Sequence, residues 1–156
     1  MYLGKPTEGL EFYDLLFKSD EFCAEMVRVA LASSQLEAEL IQLLLERKVP
    51  GKVVGLPLGA LVKAAQKHNV LEPNVLSALD DLCWQRNYLT HNIYALFIGL
   101  IEETRLERSN LLDSDVHTYT ERAWQLRVNL VGLAEIVAEN LSNQLSEPRG
   151  PAKLER

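Results

Sequence analysis

Arg86-Asn87-Tyr88-Leu89-Thr90-His91 sets a permanent cation five positions before a residue that titrates near neutrality. That pair suits phosphodiester chemistry: a guanidinium offers a planar fork matched to phosphate oxygens, and an imidazole can take and return a proton near pH 7. Five positions on a straight helix turn through about 140°, so the two side chains start from different faces. A site made from them needs either a break in the helix, with Thr90 capping the helix that follows, or a second copy of the chain. Asn87, four before His91, shares its face on an unbroken helix and is placed to orient the imidazole.

Other chemistries lack their signatures. The chain has no GxxxxGK[ST] phosphate loop, no GxGxxG, no HExxH and no GxSxG. His68, His91 and His117 are too far apart in sequence for a local metal set, and Cys23 and Cys83 have no partner spacing, so neither a metal nor another cofactor is expected. The two cysteines, set among apolar residues, read as reduced core positions of a cytoplasmic protein.

The elements that must hold the hexapeptide follow from composition and punctuation. A chain of 156 residues, 47% hydrophobic and 24% charged, has the size and balance of one folded domain. Its net charge of -6 is the wrong sign for holding nucleic acid by general phosphate neutralisation, so any RNA contact must be local. No basic-then-apolar leader opens the sequence, and its most apolar window, Ile93 to Ile101, is too short to span a membrane.

Prolines at 6, 50, 57, 73, 148 and 151 cut the chain into long proline-free blocks suited to helices. Leu10 to Phe17 predicts a short helix. Ser19, followed by Asp20 and Glu21, caps a long one, whose apolar stripe runs Phe22, Met26, Val29, Ala30, Ser33, Leu36, Leu40, Leu43 and Leu44 and stops at Arg47-Lys48-Val49-Pro50-Gly51. Residues 51–57 read as a loop. A helix over Leu58 to His68 ends at Asn69, and Pro73 opens the next, with Val75, Leu76, Leu79 and Leu82 facing inward and the chain leading straight into Arg86.

Ile93 to Ile101 is apolar almost all round and predicts a helix buried at the centre of a bundle. Asp113 or Ser114 caps a long last helix with Val116, Tyr119, Ala123, Leu126, Leu130, Leu133, Ile136, Val137 and Leu141 inward. The expected architecture is therefore all-α: a single-domain bundle of about five helices over 1–146 that pairs as a dimer, with a mobile tail over 147–156.

Arg86-Asn87, four intervening positions counted from Arg86, and His91, set between helices of an all-α domain, resemble the HEPN superfamily motif. Leu36-Glu37, Leu40, Leu43-Leu44, the Leu58-Gly59-Ala60-Leu61 helix start and the Arg-Asn…His segment also resemble the mannitol-repressor-like branch of helical proteins, over roughly Val27 to Ile101. The resemblance implies a bundle that dimerises with two motifs facing one cleft and, in active members, metal-independent RNA cleavage by a toxin or defence component. His91 would then be the general acid/base on the ribose 2′-hydroxyl or the leaving oxygen, Arg86 would stabilise charge on the phosphate, and Asn87 would assist both. Thr90 and Tyr94 are the candidates for substrate contact. Toxins of this superfamily silenced by nucleotidylation carry tyrosine two positions after the histidine, where this chain has Ile93, which puts that control in doubt.

Plainer readings stand beside these. Arg86 could pair with Asp80, Asp81 or Glu103, and His91 could pack at a helix junction. His68 and His117 read as solvated helix-end residues, and Trp84 and Trp124 as core or interface. Asp80-Asp81 and Glu102-Glu103 read as solvated faces, or as an acidic rim for a basic or inhibitory partner protein. The alternative function is a non-catalytic regulatory or protein-interaction module. DNA reading is disfavoured, because the segment from Asn74 to Trp84 carries two aspartates and no cation.

Overall fold

A computed structural model describes residues 10–91 and 113–145. Within them the chain forms five helices and no strand: α1 (Leu10–Lys18), α2 (Asp20–Glu46), α3 (Leu58–Lys67), α4 (Pro73–His91) and α5 (Asp113–Leu145). The all-α bundle expected from the sequence is what the chain builds. The apolar run Ile93 to Ile101, with Tyr94, lies outside the described residues, as does the tail after Ser146.

Local signals fix most helix ends. Ser19 takes an extended conformation and its Oγ accepts from the Phe22 amide at 3.2 Å, the N-cap its residue type favours. At the other end of α2, Lys48 is left-handed (φ 53°) and the Val49 amide closes onto the Leu44 carbonyl at 3.0 Å. Helix α3 repeats this closure, with Asn69 left-handed (φ 48°) and the Val70 amide on the Ala65 carbonyl at 3.2 Å. The loop over 51–57 also stands as read, turning through Gly51 and Gly55, both at positive φ.

The start of α3 is not local. Its N-cap is Pro57, which makes no side-chain cap bond. The carboxylate of Glu37, 21 residues upstream on α2, accepts from the Leu58 amide at 3.0 Å instead. Glu37 therefore joins two segments that the sequence shows only as separate patches.

Helices α2 and α5 run parallel. Their N-terminal turns lie together around a cleft of about 290 Å³ lined by residues that include Ser19, Glu21, Val116, His117 and Thr120. Further along, the Glu25 carboxylate receives a hydrogen bond from Arg127 Nε at 2.8 Å and one from Arg28 at 2.6 Å. Helix α4 runs the other way: Leu89 and Thr90 near its end meet Phe22, Cys23 and Met26 near the start of α2. The core is aliphatic, with Leu36, Leu40, Leu43, Leu44, Leu58, Leu61, Leu79 and Leu130 closed to solvent.

Some inward positions differ from the stripe read in the sequence. Ala30 is exposed and Ala32 buried in its place, Ile136 is 38% exposed, and Glu25 is buried among the apolar residues. Glu25 looks like a solvent-facing acid until its arginine on α5, a hundred residues away, is known. Trp84 and Trp124 are both exposed rather than core. Cys23 and Cys83 are free thiols, half-buried and buried respectively.

Candidate functional site

The hexapeptide is one continuous piece of α4, which runs unbroken from Pro73 to His91. The break that would have let Thr90 cap a following helix is not there: the Thr90 hydroxyl donates to the Arg86 carbonyl at 2.8 Å, a bond inside the helix. Positions 86 and 91 are accordingly about 140° apart around α4. The route through a helix break between Arg86 and His91 is therefore closed.

Around α4 the residues separate into two faces. Leu76, Leu79, Leu82, Cys83 and Leu89 are buried, and Arg86 is half-buried beside them. Asp80, Trp84, Asn87 and position 91 recur at spacings of four, three and four, one stripe along the helix. Asp80, Trp84 and Asn87 are exposed on it, Trp84 by 61%. Trp84, read in the sequence as core or interface, is exposed in register with Asn87 and position 91, so it is not core.

The Arg86 guanidinium has no ion pair among the described residues, so the bridge to Asp80 or Asp81 expected of a structural arginine is not made; Glu103 lies outside the described residues. Its Nε is buried with no hydrogen-bond partner. A half-buried guanidinium with a buried, unbonded Nε retains a donor that an acceptor could use.

The Asn87 amide reaches Cys83 Sγ in a long 3.9 Å contact, four residues back along α4. A methyl group at Gly59 would lie 3.4 Å from the same sulfur, so α3 and α4 approach closely here. Burial pushes the Cys83 thiol above its ordinary value; the nearby Arg86 charge acts in the opposite direction and does not prevail. A neutral, buried thiol is a packing group, not a nucleophile. Beside Thr90, an apolar cavity of about 350 Å³ opens between α1, α2 and α4, with Tyr13, Phe17 and Met26 in its wall.

His117, exposed, pairs with Glu121 at 3.3 Å, and His68 closes the end of α3. Both stand at helix ends, as read. Among the described residues no group of three or more His, Cys, Asp or Glu side chains could hold a metal ion, and no helix is long and apolar enough to cross a membrane. No family model, curated protein or solved structure matches this chain. The likeness to HEPN proteins therefore rests on the residues named above.

Proposed function

We propose that this chain is a metal-independent endoribonuclease of the HEPN type, acting in toxin or defence systems, whose cleft is completed by a second copy meeting the first along the end of α4. The observation that carries the reading is the half-buried Arg86 guanidinium with its unpartnered Nε. In the cleft, Arg86 binds non-bridging phosphate oxygens and stabilises the charge that builds on them. His91 removes the 2′-hydroxyl proton as the 2′-oxygen bonds to phosphorus, and a proton is returned to the 5′-oxygen as its bond to phosphorus breaks. Asn87 assists, and Thr90 and Tyr94 contact substrate.

The test is cleavage of RNA by the purified protein in EDTA. Arg86→Ala and His91→Ala abolish it while circular dichroism stays helical, and co-expression toxicity falls with the same substitutions. Undiminished cutting in both variants overturns the assignment. The alternative, a non-catalytic interaction module, is favoured by one specific observation: Val27 and Leu31 on the outer side of α2 are 60% and 65% exposed. On that reading no RNA is cut and the α4 substitutions change only partner binding or stability.

A further inference from the structure

Helix α2 has a second apolar seam, on the side away from the core. Asp20, Ala24, Val27, Leu31, Ser34, Ala38, Ile41 and Leu45 recur at alternating spacings of four and three, the seven-residue repeat that keeps one stripe facing a partner helix. The core stripe of the same helix, through Val29, Leu36, Leu40 and Leu43, lies opposite. Val27, Leu31 and Leu45 are 60%, 65% and 53% exposed, Ser34 and Ala38 are exposed, and Ala24 and Ile41 are half-buried.

We infer that this seam pairs with the same seam of a second copy, antiparallel, about a two-fold axis between Ala32 and Ser33. Side-chain size selects both occupant and register. Sliding the two helices past each other so that partnered residue numbers add to about 65 places Ala24 against the partner copy's Ile41 position, Val27 against its Ala38 position and Leu31 against its Ser34 position. The two-fold repeats each of these pairs in reverse. Each of those three layers then holds one large and one small residue, the interdigitation that fills a helix interface, and the outermost layer sets Asp20 against the partner copy's Leu45 position at the solvated end of the seam. A parallel, in-register pair would instead stack Ala24 on Ala24, Ser34 on Ser34 and Ala38 on Ala38, leaving gaps, and Leu31 on Leu31, a crowded layer.

The opposed helix dipoles of an antiparallel pair attract; side-chain charge does not add to this, because Asp20 and Glu21 come to lie by the partner's C-terminal turn, which carries the exposed Glu46 and no base. The seam is separate from the cleft proposed above and does not depend on it. The end of α4 lies by the start of α2, so this pairing holds the two Arg86 segments at opposite ends, about 25 Å apart along the seam.

Sedimentation of the full chain tests the pairing. The wild type runs at an even multiple of the 17.6 kDa chain mass at micromolar concentration, and Leu31→Arg, at an exposed position that leaves the fold intact by circular dichroism, halves that mass. A wild-type monomer, or an unchanged mass in Leu31→Arg, overturns the proposal. Register is read by cross-linking in chains whose Cys23 and Cys83 are replaced by Ala. The pair Val27→Cys with Ala38→Cys forms an intermolecular disulfide on oxidation, and Val27→Cys alone does not, because its own copy stands about 16 Å away along the antiparallel seam. Cross-linking by Val27→Cys alone overturns the antiparallel arrangement. RNA cleavage is a separate readout, so loss of the seam and loss of the catalytic reading are told apart.

Discussion

Two arginines, Arg127 on α5 and Arg86 on α4, sit in comparable half-buried settings and differ in what they meet. Arg127 donates to the buried Glu25 carboxylate, which Arg28 also holds, so its charge is balanced within the fold. Arg86 has a buried Nε with no partner and no ion pair among the described residues. The difference separates two uses of one side chain. A charge matched by a carboxylate from another helix fixes the register of two helices; on the proposed catalytic reading, a charge with no ion pair among the described residues is the one that meets a phosphate.

The contrast can be broken most sharply at Arg86. On the proposed catalytic reading, Arg86→Ala lowers RNA cleavage by about 100-fold or more, the cost of losing a donor to transition-state charge, while thermal stability changes little. If stability falls and cleavage does not, the two arginines are alike and the contrast fails. Arg127→Ala gives the opposite profile. Unfolding by urea shows a loss of about 1.5–3 kcal/mol, as for hydrogen bonds to a charged group, with the cleavage rate per folded molecule preserved.

Acid sharpens the comparison further. Burial pushes the Glu25 carboxyl up, but hydrogen bonds and charge from Arg127 and Arg28 outweigh it, so its folded pKa lies below 4.5. A depressed carboxylate contributes stability that is present above its unfolded value and lost as pH falls through the folded one. Wild-type protein therefore loses this contribution below pH 4.5, and the difference between wild type and Glu25→Gln shrinks as acid is added. A constant difference across that range would show that the carboxylate's charge is not what the two arginines hold. The smallest effect is at Glu37: replacement by Ala costs about 1 kcal/mol, the worth of a helix cap, measured as a shift in the denaturation midpoint.

How far the sequence carries depends on distance along the chain. Ser19 capping Phe22, Asn69 turning left-handed after α3 and Pro73 opening α4 are decided within a few residues, and each was legible. Glu25 and Glu37 are decided by partners 102 and 21 positions away, so both look like ordinary surface acids in sequence. At the candidate site the residue types were legible and the helix state was open. Thr90 suits a cap as well as a helix interior, and its hydroxyl is satisfied by the Arg86 carbonyl within α4. Trp84 was read as core or interface, and its exposure excludes only the first, because residue type alone does not say which face of an amphipathic helix a tryptophan takes.

The Glu37 carboxylate on the Leu58 amide ties the birth of α3 to the survival of α2. A ten-residue helix that opens on proline has little tendency to form alone, because nucleation is costly and no side chain of its own satisfies its first amides. The start of helix α3 therefore depends on α2. In hydrogen exchange the Leu58 amide should open with the α2–α3 contact rather than by fraying of an independent helix end, and Glu37→Ala should speed exchange there while the middle of α2 stays protected.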